Sequence, residues 1–98
     1  MDEDPHRIPI TNELDLHTFR PSEIGDLLPE YFNECHQAGI RGVRVIHGKG
    51  LHGDSTAPVL KNLVDRLLRH RADVLAFASA PPNQGGTGAV LVLLAAKR

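Results

Sequence analysis

Asp15 and His17 sit two residues apart in the stretch Leu14-Asp15-Leu16-His17. On an extended strand that spacing places both side chains on one face. A carboxylate beside an imidazole is a working acid–base unit. The imidazole exchanges a proton near neutral pH, and the carboxylate orients it or holds a divalent cation. Thirty residues on, His47-Gly48-Lys49-Gly50 supplies different chemistry, with His52 just beyond. Two glycines allow backbone conformations that other residues avoid, and Lys49 between them is a fixed cation. A glycine-framed loop with a lysine and flanking imidazoles is suited to holding a phosphate. Asp15, His17, His47 and His52 are also side chains of the kind that ligate zinc, although no cysteine joins them and their spacing lends no support.

These groups must be positioned by the elements around them. Glu13–His17 reads as a first strand, with Leu14 and Leu16 turned to the core and Asp15 and His17 turned away. A helix follows, with Pro21 in its first position and Glu23 in its first turn. Its apolar face is Ile24, Leu27, Leu28, Tyr31, Phe32 and Cys35. Pro29 interrupts the pattern, so a kinked helix or two short ones is expected, ending at Gly39. Val43–His47 is a second strand. Asp54, Ser55 or Thr56 can cap a second helix, whose buried face runs through Leu60, Val64, Leu67 and Leu68. Asp73–Ala78 is a third strand, Ala80–Gly88 a Pro- and Gly-rich loop, and Ala89–Leu94 a fourth strand.

The order is β-α-β-α-β-β. Helical crossovers make the first three strands parallel and right-handed. The last loop is too short for a helix, so the fourth strand is antiparallel. Its unbroken apolar run suits an interior place and the order 1-2-4-3. Two helices share one face of the sheet, which leaves a two-layer α/β (α+β) sandwich with one open face. The parallel strands end at one edge, where ligands of open α/β sheets gather. Asp15, His17, the His47–Gly53 loop and the Ala80–Gly88 loop therefore meet there.

The chain has 98 residues, net charge −1 and one cysteine. That is one domain with an aliphatic core, no internal disulfide and no general basic coat. Residues 1–12 read as a flexible arm and 13–98 as the domain. The acidic start lacks a signal peptide's apolar stretch, and no apolar run reaches the roughly 20 residues of a membrane span. A cytoplasmic, monomeric protein away from membranes is expected. Cys35 falls on a helix's apolar face and reads as a small buried hydrophobe.

Taken together, Leu14-Asp15-Leu16-His17, His47-Gly48-Lys49-Gly50 and Gly85-Gly86-Thr87-Gly88-Ala89 resemble the small MutS-related (Smr) domain in order and spacing, over roughly Glu13 to Leu94. The resemblance implies the same fold, similar to the C-terminal domain of translation initiation factor three. It also implies nucleic-acid binding and, as in several members, endonuclease activity on DNA or RNA, including messenger RNA on stalled ribosomes. The expected catalytic residues are then Asp15, His17 and His47. The expected phosphate contacts are Gly48, Lys49, Gly50, His52, Arg44, Gly86 and Thr87. Partners are DNA or RNA and the ribosome, and a divalent cation such as magnesium is the one cofactor the site suggests. The alternative is a non-catalytic nucleic-acid or ribosome adaptor. Thr18 follows His17 where the family often has glycine, and Val90 stands where it often has threonine. Both changes bear on loop shape and leave the chemical groups in place.

Overall fold

The computed structural model describes residues 9–48 and 57–96. β1 (Asn12–Asp15), α1 (Pro21–Gln37), β2 (Gly42–Ile46), α2 (Ala57–Arg69), β3 (Val74–Ser79) and β4 (Ala89–Leu94) follow in that order, with short 3-10 turns at Pro82–Gln84 and Gly86–Gly88. The sheet order is β1-β2-β4-β3. β1 and β2 are parallel, and β4 runs antiparallel to both of its neighbours.

All six residues of β4 are buried, which is why its sequence is apolar throughout and does not alternate. Val90, Val92 and Leu94 join Val43 and Val45 under both helices, against Ile24, Leu28 and Phe32 of α1 and Leu60, Val64 and Leu68 of α2. The two helices thus cover one face of the sheet. The other face is less open than expected. Ala80, Ala89 and Leu91 form a second cluster there, with Ile10 and Ile46 packed on it.

α1 runs unbroken from Pro21 through Pro29 to Gln37, as one helix where two were expected. The Glu23 carboxylate accepts the Arg20 N–H at 2.8 Å and closes the first turn. Gly39, at φ 77°, ends the helix. Its N–H donates to His36 O at 3.2 Å and that of Ile40 to Cys35 O at 2.9 Å, the paired bonds of a left-handed helix stop.

β1 starts at Asn12 and ends at Asp15, where Glu13–His17 was expected. The early stop has a local cause. The Asp15 carboxylate accepts the backbone N–H of His17 at 3.0 Å. An aspartate bonding two residues ahead folds the chain into a turn. Residues 1–8 of the expected arm, and the candidate caps Asp54, Ser55 and Thr56, lie outside the described residues. The arm's described end is docked, with the Thr11 N–H donating to Gly42 O at 3.1 Å. Among the described residues no helix is long and apolar enough to cross a membrane.

Candidate active site at the sheet edge

The same carboxylate that ends β1 also holds a ring. His17 Nδ1 lies 2.5 Å from Asp15 Oδ1. The imidazole proton therefore sits at Nδ1, and Nε2 keeps a free lone pair when the ring is neutral. The pair is accessible, with side chains 61% and 44% exposed for His17 and Asp15. Slight burial would raise the Asp15 carboxyl, but the bonds from the His17 N–H and ring outweigh it and hold the acid below its usual range. Asp15 is thus ionised at neutral pH and fixes the ring.

His47 stands at the same edge, at a different depth. Asp15 is opposite Ile46 in the parallel register, and the Leu16 N–H donates to Ile46 O at 2.7 Å. Ile46 belongs to the outer cluster, so alternation turns the next residue toward the helices. His47 is buried, 4% exposed, where a shallow accessible ring was expected. Its Nδ1–H donates to Gly48 O at 3.0 Å. Burial pushes the imidazole below its ordinary value, more than the Gly48 bond raises it, and the nearby Lys61 charge adds to the lowering. The ring is neutral at pH 7.

The His47–Gly50 loop was expected to offer backbone N–H groups to a phosphate. In the structure the N–H groups of His47 and Gly48 both donate to Gly88 O, at 3.0 Å each. That carbonyl ties the β2 exit to the loop before β4. Gly48, at φ 91°, makes the required turn. The register contained this joint. With Ile46 opposite Ala89 in an antiparallel pair, Gly88 must meet His47.

Arg44 is likewise engaged within the protein. Its guanidinium pairs with the Glu13 carboxylate and donates to Gln84 O at 3.1 Å. It braces β1 and the 82–88 loop across the outer face of the sheet. Gly86 donates its N–H to Pro81 O at 3.0 Å, while Thr87 is exposed beside it. Lys49, Gly50 and His52 lie outside the described residues. Among the described residues no group of three His, Cys, Asp or Glu side chains converges to hold a metal ion. Asp15 can offer a cation its second carboxylate oxygen only.

Gly85 is the loop's conformational hinge. It has φ +110°, and an added Cβ would lie 2.9 Å from the Ala89 Cβ. Gly85→Ala is expected to destabilise the fold by about 1–3 kcal/mol through backbone strain and crowding. Thermal unfolding checks this, and an unchanged midpoint would contradict it.

Comparisons with known proteins follow the geometry. A family model described as the Smr domain matches residues 14–95. The chain is 36% identical over 84 residues to an endonuclease MutS2 of Lactobacillus johnsonii, covering 86% of this chain and 10% of that protein. It is 37% identical over 81 residues to the ribosome rescue factor SmrB of Aliivibrio fischeri, covering 83% of this chain and 42% of that one. The chain thus spans about a tenth of the MutS2 relative. Among solved structures, it is similar to YdaL, a stand-alone small MutS-related protein from Escherichia coli, with TM-score 0.78 and 32% identity over 85% of this chain and 63% of that one. The Smr domain of Thermus thermophilus MutS2 matches with TM-score 0.75 and 30% identity, over 86% of this chain and 98% of that one.

Proposed function

We propose, since this chain belongs to the Smr domain family, that it binds nucleic acid at the edge where β1 and β2 end and cleaves the phosphodiester backbone there. The observation that carries this reading is the Asp15–His17 pair, exposed and joined at 2.5 Å. Asp15 holds the ring with its proton on Nδ1. Nε2 then takes a proton from the attacking oxygen, or returns one to the leaving oxygen. Lys49, on its glycine-framed stretch, supplies positive charge to the phosphoryl group. His47, neutral and buried, forms the inner wall. The Gly88 joint and Arg44 hold the surrounding loops. A divalent cation bound through Asp15 would add Lewis-acid charge at the phosphate. Relatives named for endonuclease activity and for ribosome rescue support a nucleic-acid substrate of either kind.

Incubation with labelled single- and double-stranded RNA and DNA, with and without a chelator, tests the reading. Shortened product that depends on the protein is expected, and the chelator arm decides the part played by a cation. Salt-dependent binding with every substrate intact would instead favour the adaptor.

Lys49→Ala is expected to weaken binding to all sequences alike. It should flatten the salt dependence by about one unit of log–log slope, because an ammonium pairs with phosphate without reading a base. Loss of binding to one sequence alone would contradict that role.

A further inference from the structure

Behind the Asp15–His17 edge lies a cavity of about 340 Å³, between α2 and the strands β3 and β4. Val64, Leu68 and Phe77 give it apolar walls, and His47, Lys61 and Asn62 bring polar groups to it. It stands at the small end of ligand pockets, suited to one planar ring system rather than a run of chain. His47 is the telling member. The ring is more than nine-tenths buried, and its Nδ1–H is committed to Gly48 O. Because the ring is neutral, Nε2 is left as a bare acceptor, with no hydrogen-bond partner among the described residues. A buried acceptor is normally satisfied, and here the space beside the ring is a cavity.

The position completes the argument. β1 and β2 leave the sheet side by side, joined by the Leu16 bond to Ile46 O. Neighbouring strands are about 5 Å apart, so a backbone held at the exposed pair has its next nucleoside within reach of the inner wall.

We propose that this cavity receives one unpaired nucleobase of the bound strand, stacked among Val64, Leu68 and Phe77 and recognised on its edge by His47 Nε2 and the Asn62 amide. The inference rests on the nucleic-acid reading above and deepens it. A base enters a cavity only after leaving its own stack. The favoured substrate is therefore single-stranded or locally unpaired. A base with a ring N–H or an exocyclic amine satisfies the His47 acceptor, and Asn62 adds one donor and one acceptor.

The test separates base from phosphate. The chain is titrated with adenosine 5′-monophosphate and, separately, with ribose 5-phosphate, and backbone amide shifts are followed by NMR. The nucleotide is expected to move the signals of Asn62, Phe77 and Ala78, and ribose 5-phosphate to leave them in place. Asn62→Trp, at an exposed helix position, fills the space and should weaken the nucleotide about tenfold or more. His17→Ala should keep the nucleotide shifts even where cleavage is lost, so the cavity and the chemistry fail separately. Equal shifts from ribose 5-phosphate, or nucleotide shifts confined to other residues, would overturn the proposal. Wild-type cleavage of a duplex as fast as of the matching single strand would also overturn it.

Discussion

His17→Ala is expected to lower cleavage by roughly a hundredfold or more, with melting temperature and nucleic-acid binding nearly unchanged. The ring is 61% exposed and its one polar partner is Asp15, so its loss removes no core contact. What disappears is the proton-transfer group. The backbone bond from the residue 17 N–H to Asp15 survives the substitution, because it does not use the side chain. The turn that ends β1 therefore remains. A destabilised but active variant would assign His17 a structural role and end the catalytic assignment. Single-turnover cleavage and thermal unfolding on the same preparation decide it.

Arg71→Ala is expected to have the largest effect on stability. Arg71 grips Asp73 with two parallel bonds, 2.8 Å from Nε and 2.9 Å from one terminal nitrogen. It also donates to Pro29 O at 3.1 Å and to Asn33 Oδ1 at 2.9 Å, and its guanidinium lies 5.6 Å from the Phe32 ring centroid. One side chain thus ties the α2–β3 connection to the middle of α1. The pair is mostly buried, at 19% and 18% exposure, so truncation leaves a poorly hydrated carboxylate without its partner. A loss of about 2–4 kcal/mol is expected, or a midpoint lower by roughly 10–20 °C for a chain of this size. Arg71→Lys keeps the charge but not the fork, and should recover only part of it.

The pH dependence has a defined sign. Bonding from Arg71 holds the Asp73 carboxyl below its usual value, with burial opposing and the charges of Arg71 and His36 assisting. The native carboxyl therefore stays ionised to lower pH than the unfolded one. Its stabilisation is fully present above the unfolded value of about 4, and is lost as pH falls through the lowered native value. Denaturant unfolding below pH 4 should show a shallower acid decline in Arg71→Ala than in the wild type. Parallel curves would contradict the pairing.

Much of this architecture was legible because its causes are local. The unbroken Ala89–Leu94 run marked an interior strand, and the crossovers fixed the direction of the first three. Gly39 marked the end of α1, where the left-handed stop now stands. What was hidden depended on partners distant in the chain. Arg44 read as a free cation because Glu13 and Gln84 are 31 and 40 residues away. The Arg71 bond to Pro29 O spans 42 residues, and nothing in the local pattern announces it. The depth of His47 was within reach of alternation, since Ile46 faces outward and the next residue must face in. Treating His47 as the first residue of a loop concealed that. The early end of β1 was concealed because Asp15 was considered for its chemistry and not for the turn its carboxylate makes.

The central claim is that Asp15 and His17 act as one catalytic unit on a phosphodiester. Single-turnover cleavage by wild type, Asp15→Ala, His17→Ala and the double variant tests it most directly, with equilibrium binding measured on all four. If the ring works only when the carboxylate holds it, the double variant will be about as slow as His17→Ala alone, while binding stays nearly constant. Losses that multiply independently, or singly substituted variants that cleave at the wild-type rate, would contradict it.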